Sequence, residues 1–271
     1  MAAKKGSAKP DFATLGGLVI AAAGIVGGLI LEGGNVKEIM APTALMIVLG
    51  GTLGAVMVTT PLNVLLASMR AMASVFFERT ESPAAVIETL VEYATKARKQ
   101  GIVALEQDAL AIQDPFLQKA LSLAVDGTDL QELRKMMELE ISLEEHHVEA
   151  QAKVFDGAGG YAPTIGIIGA VLGLIQVMKD LADIDKVGHG IATAFVATIY
   201  GVGFANILFL PAGTKIRARA QNRIQLRELM LEGVIGIVEG LNPKLIRSKL
   251  EAYAPAPPAS KAKPARTPAD K

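Results

Sequence analysis

The chain reads as an all-α membrane protein with four transmembrane helices and a helical cytoplasmic domain inserted between helices two and three. Two observations predict that class. Four stretches contain no Asp, Glu, Lys or Arg: 12–31, 39–69, 157–178 and 190–214. Each is long and apolar enough to cross a bilayer as a helix, which takes about 20 residues. The charges, 27 of each sign, are segregated into the remaining segments, chiefly 70–156, the short loops and the C-terminal tail. None of the four stretches holds a carboxylate. Proton relays and ion pumps place an Asp, Glu or His inside the membrane, so a chain of this kind that worked on ions would need the acid from another chain.

Composition removes several functional classes. With no cysteine, disulfides, thiolate catalysis, Cys-ligated zinc and iron–sulfur clusters are excluded. Zero net charge, without a basic stripe interleaved with aromatics, gives no argument for nucleic acid. No glycine-rich loop carries the Lys-Ser/Thr of a phosphate-binding turn and no Ser-His-Asp arrangement is legible, so no enzyme and no cofactor are expected.

In chain order, residues 1–11 form a short basic N-terminus. The run 12–31 is read as a retained first helix, not a cleaved leader, because no small-x-small cleavage pattern follows it. Helices one and two occupy 12–69. Lys and Arg near the membrane ends set orientation. Lys4, Lys5 and Lys9 precede helix one, Arg70, Arg79, Lys96, Arg98 and Lys99 follow helix two, and Lys215, Arg217, Arg219, Arg223 and Arg227 follow helix four. The two other loops hold only Lys37, Lys179 and Lys186. Both termini and the insert are therefore expected on the cytoplasmic side of the membrane.

The insert, 70–156, reads as helical throughout. Ser82-Pro83 starts a helix that Gly101 stops. A short helix follows over 102–112, then one from Asp114-Pro115 to about Gly127. Thr128-Asp129 caps a long helix from Leu130 towards Phe155, expected to break at the glycine-rich stretch 157–160 before helix three. Helices three and four take 157–214. Residues 215–253 read as one basic, then amphipathic helix. The Pro/Ala/Lys tail, 254–271, has too little apolar surface to fold.

Glycines four apart (Gly24/Gly28, Gly50/Gly54, Gly169/Gly173) let helix backbones approach closely in lipid. Packing within one chain is the plain reading; packing against a second protein is the sharper one, with helix three the best candidate. His146 and His147 sit among Glu144, Glu145 and Glu149, but neighbours on a helix point about 100° apart, so a solvated face is preferred to a metal site. His189 is assigned nothing. Thr164, Gln176, Thr193, Thr198, Tyr200 and Asn206 make helices three and four polar without an ionisable acid. Pro163 and Pro211, near the ends of those helices, each remove a backbone hydrogen bond and read as helix ends or as hinges. Arg98, Lys99 and Glu106 flank the break at Gly101, either as one surface ion pair or as a two-sign patch for a partner.

The runs 159–175 (GGYAPTIGIIGAVLGLI), 190–206 (GIATAFVATIYGVGFAN) and 209–211 (FLP) closely resemble helices three and four of the MotA family, the A subunit of the bacterial flagellar stator, and within it the MotC type. LEGG at 31–34, VLGGT at 48–52 and ARKQGIVALE at 97–106 match the same pattern, so the resemblance spans about 12–250. It implies a homo-oligomeric ring, taken as a pentamer, around a MotB-like partner that contributes one membrane helix bearing an Asp. It also implies contact with the rotor protein FliG. Carried over by motif, Arg98 and Glu106, with Lys99, face the rotor. Pro163 and Pro211 are the functional prolines, and Thr198 is the helix-four threonine near the partner's Asp. Thr164 and Tyr200 join them as polar candidates on the same helices. Sodium-driven relatives carry a hydroxyl residue seven positions after the helix-three proline. Ala170 stands there, which implies protons. An ExbB/TolQ-like energiser of an envelope partner shares the ring design and is the alternative. A self-contained channel is disfavoured by the missing membrane acid.

Overall fold

The computed structural model describes residues 9–78, 82–179 and 181–253; Lys4, Lys5, Arg79 and the tail 254–271 lie outside them. The described residues are helical apart from loops and a two-residue antiparallel pairing of β1 (Lys9–Pro10) with β2 (Phe77–Glu78). The chain forms two units, and α7 (Leu130–Lys179) and α9 (Leu210–Val238) run through both.

The membrane unit begins with α1 (Phe12–Leu31), coincident with the first charge-free stretch. Asp11 caps it by accepting a hydrogen bond from the Thr14 N–H at 3.0 Å. None of the α1 span is buried within this chain. A 3₁₀ turn over Val36–Ile39 leads to α2 (Pro42–Thr59), which starts on a proline at its first turn. The second stretch is not a single helix over 39–69. Pro61 lacks an N–H and forces Thr60 into extended backbone (φ −127°, ψ 130°), so α2 ends and a separate α3 (Leu62–Phe76) begins.

The expected break at 157–160 is also absent: α7 continues through the glycines and through Pro163. Gly159 lies so close to Leu210 that a Cβ there would fall 2.5 Å from the leucine Cδ2, so Gly159 serves close packing and not chain reversal, whereas a Cβ on Gly160 would meet nothing within 4 Å. α8 (Ile184–Gly203) passes through a π-helical segment, Phe204–Phe209, directly into α9. Pro211 explains the π geometry. It cannot donate to Ile207, and Leu210 N–H bonds Ala205 O, five residues back. A core of Val75, Val148, Ala152, Phe155, Ala212, Ile216 and Ala220 joins α3, α7 and α9. Beside it, Arg217 pairs with Glu149 (2.8 Å) and Asp156, and Arg223 with Glu144 (2.6 Å).

The second unit contains α4 (Pro83–Gln100), a 3₁₀ turn (Ile102–Leu105), α5 (Glu106–Ala111), α6 (Pro115–Val125), the start of α7, the end of α9 and α10 (Pro243–Glu251). Leu90, Leu105, Phe116, Leu121, Leu133, Met137, Met230, Ile235, Ile246 and Leu250 are fully buried in one core. At about 1.5–3 kcal/mol per large side chain, that core accounts for the unit's existence. Three glycines of this unit adopt positive φ: Gly101, Gly127 and Gly240. Gly101 (φ +84°) separates α4 from the 3₁₀ turn. Gly240 (φ +67°) ends α9, so the segment 215–253 is two helices where the sequence suggested one. His146 and His147 are both exposed on α7, as on a solvated face.

Candidate functional site: the open side of the α7–α8 pair

Three glycines of α7 face α8. A Cβ on Gly166 would sit 2.9 Å from Ala197 O, one on Gly169 2.9 Å from Ala197 Cβ, and one on Gly173 3.0 Å from Ala194 Cβ. From α8, a Cβ on Gly201 would lie 2.5 Å from Ala162 O and 3.1 Å from Gly166 Cα. The two backbones therefore touch. The glycine spacing on helix three is used within the chain, not for a second protein.

α2 covers one side of this pair. Ile47 approaches Gly169, Ile165 approaches Gly51, and Val196 and Ala197 pack with Ala44 and Val48. Tyr200 belongs to that covered side. Its hydroxyl donates to Ile39 O (2.5 Å) and accepts from Ala41 N–H (3.3 Å), and its ring stacks obliquely on Phe204 at 6.0 Å. Tyr200 thus braces the entry to α2, a role the sequence does not announce. Tyr200→Phe is expected to lower stability by about 1 kcal/mol, the net worth of such a hydrogen bond; thermal unfolding of the detergent-solubilised protein checks it.

Helical periodicity places Pro163 and Ala170 of α7, and Thr198 of α8, away from α2. All three are half-buried and border an exposed apolar surface of Ile167, Leu174, Phe195, Ile199 and Val202. Thr164 is exposed and donates its hydroxyl to Tyr161 O (2.8 Å), and Thr193 similarly serves His189 O (3.0 Å). The Thr198 hydroxyl makes no such bond among the described residues. Pro211 is exposed just beyond the π segment. Asn206, named from the sequence only among the polar residues of helices three and four, is exposed inside that segment and donates its side-chain amide to Val202 O at 2.9 Å. Pro211 was the available signal for it, since a proline disturbs the carbonyls four and five residues before it.

In the other unit the ion pair across Gly101 forms between Lys96 and Asp108 at 2.6 Å. Arg98, Lys99 and Glu106 are all exposed and take part in no ion pair among the described residues. Val103 (64% exposed) and Leu110 (72%) stand beside them.

The model of the motility protein A N-terminal region matches residues 15–101, and that of the MotA/TolQ/ExbB proton channel family matches 108–229. The motility protein A of Bacillus subtilis is 35% identical over 250 residues, covering 91% of this chain and 92% of its own. The chain belongs to the MotA/TolQ/ExbB proton channel family. Among solved structures, that of C. jejuni MotAB superposes with a TM-score of 0.87 at 31% identity, covering 94% of this chain and 98% of its own. The Bacillus subtilis flagellar MotAB stator complex gives 0.85 at 34% identity, covering 91% and 97%. With four membrane-capable helices, this member is a stator A subunit of the flagellar motor, an integral membrane protein.

Proposed function

We propose that the open side of the α7–α8 pair receives the single membrane helix of a MotB-like partner, and that protons reach the partner's Asp past Pro163, Ala170 and Thr198. The observation that carries this reading is the pairing of an uncovered, largely apolar helix face bearing the Thr198 hydroxyl with four charge-free stretches that lack a carboxylate of their own. A homo-oligomeric ring of A subunits, taken as a pentamer, surrounds the partner. Both termini and the second unit lie on the cytoplasmic side, where Lys and Arg concentrate. Ala170 supplies no oxygen, so a dehydrated sodium ion would lack a ligand there, and an unsolvated charge in lipid is costly. A proton needs only the acid and a chain of waters or hydroxyls.

The test is rotation of tethered cells whose own stators are deleted and which express this chain with its partner. Rotation should ignore sodium and stop when the proton gradient collapses. Speed that follows sodium, or Ala170→Thr leaving ion dependence unchanged, would sink the argument from Ala170. A stable complex that never rotates a compatible rotor would favour an envelope energiser.

For the second unit, we propose that Arg98, Lys99 and Glu106 meet FliG, with Val103 and Leu110 as the apolar centre of the contact. Free charges orient a partner while apolar side chains hold it. Arg98→Glu is expected to stop torque, and pairing it with Glu106→Lys to leave torque low, with the complex intact in membranes. Unchanged torque in both would place the rotor contact elsewhere.

A further inference from the structure

Helix α3 has three distinct faces. Leu65, Ser68 and Val75 are buried against the membrane unit, and Met72 packs against the same core. Leu62 (64% exposed), Leu66 (49%), Met69 (65%) and Ala73 form a second stripe at helical spacing, which Phe77 (54%) extends beyond the helix. Asn63, Arg70 and Ser74 make a third, polar edge beside that stripe, and all three are exposed. A soluble amphipathic helix has two faces, one apolar and buried, one polar and wet. A helix that presents protein, apolar and polar sectors side by side fits a boundary where three media meet.

Length fixes where that boundary is. The 18 residues of α2 rise about 27 Å at 1.5 Å each, close to the roughly 30 Å of hydrocarbon in a bilayer. α2 therefore exhausts the bilayer at Thr59, and Pro61 turns the chain just as it emerges. Yet the sequence stays free of charge to Met69, and the first charge, Arg70, falls on the polar edge and not on the apolar stripe. A helix entering water at Pro61 would have no reason to keep Leu62, Leu66 and Met69 outside.

From this continuity with the α2 span we infer that α3 is an interfacial helix: its outer apolar stripe lies in the acyl–headgroup boundary of the membrane, with Asn63, Arg70 and Ser74 at headgroup level. The occupant of the stripe is lipid, not a second protein. Amphipathic helices of this kind sink about 5–10 Å into that boundary. The position also ties the lipid surface to the Val75 end of α3, which packs on α7 and α9. The inference rests on α2 spanning the membrane, and it assigns α3 a lipid contact distinct from the four spans.

The chain has no tryptophan, which supplies the experiment. The full chain with its partner is reconstituted into vesicles of ordinary or dibrominated phosphatidylcholine, carrying Leu66→Trp or Met69→Trp in α3. Leu53→Trp on the exposed face of α2 and Leu65→Trp on the buried face of α3 serve as references. Indole emission at positions 66 and 69 is expected to fall by about half or more with brominated lipid, as at 53, whereas emission at 65 stays within about a tenth of its unquenched value. Quenching at 53 but at neither 66 nor 69 would show protein or water over the stripe and overturn the inference. Loss of quenching at 53 as well would overturn the span reading of α2 and the inference with it. Two positions on one stripe guard against a single variant that does not assemble.

Discussion

Gly201→Val is expected to abolish rotation and to remove most folded subunit from the membrane. At this position even a Cβ falls 2.5 Å from the Ala162 carbonyl oxygen and 3.1 Å from Gly166 Cα. Both obstacles are backbone, so no side-chain rotation relieves the clash; α7 and α8 must separate. Overpacking costs about 1–3 kcal/mol where neighbours can shift, and the upper end applies here because separation also loosens Gly166, Gly169 and Gly173 from Ala194 and Ala197. Gly16→Val in α1 is the matched control, since nothing lies within 4 Å of a Cβ there. Membrane-bound subunit measured by immunoblot, with speed of tethered cells, separates the two. Equal amounts and speeds for both variants would mean that the seam is not needed.

Asp11→Ala is the second large effect expected. Asp11 is buried at the first turn of α1, where its carboxylate accepts from Lys215 Nζ (2.6 Å), an Arg219 guanidinium nitrogen (2.5 Å) and the Thr14 N–H. Arg219 also donates to Phe77 O at 2.5 Å, and the Asp11 N–H donates to Phe76 O at 2.8 Å. One acid thus fastens α1, the end of α3 and α9 together. Removing it leaves two cations facing each other without a counter-charge. Breaking a buried pair costs about 3–5 kcal/mol, and because Lys215 and Arg219 keep part of their surface in water, about 2–3 kcal/mol is expected.

The lysine, the Thr14 N–H and the arginine hold the Asp11 carboxyl well below the usual carboxylate range, against the opposing effect of its burial. A depressed folded-state pKa contributes stability that is fully present above the unfolded value, near 3.9, and is lost only as pH falls through the lower folded value. The wild-type protein should therefore keep this contribution at pH 5, and the gap in thermal stability between wild type and Asp11→Ala should close only below about pH 4. A gap already closed at pH 5 would contradict the lock.

Several of these groups were visible in the sequence under another reading. Lys215, Arg217, Arg219 and Arg223 register there as positive charges that orient helix four. The fold shows each of them in an ion pair with Asp11, Glu149, Asp156 or Glu144. The charges around Gly101 were legible as a cluster, but which of them pair was not. Lys96 meets Asp108 because the turn at Gly101 aligns those two, and this leaves Arg98 and Glu106 without an ion pair among the described residues. Tyr200 stood among the polar residues of helix four, and its turn towards Ile39 depends on where α2 lies.

The sequence by itself determined the class, the number of membrane-capable helices, the helical insert and the family, because charge exclusion over about 20 residues and hydrophobic periodicity are local properties that survive without knowledge of any neighbour. Only the tertiary structure decided which glycines meet which backbone, that the stretches 157–160 and 204–211 stay helical, that α3 departs from α2, and that Pro163, Ala170 and Thr198 share an uncovered side. Those outcomes depend on distances between segments far apart in the chain, and a glycine or a proline carries no mark of what will be packed against it.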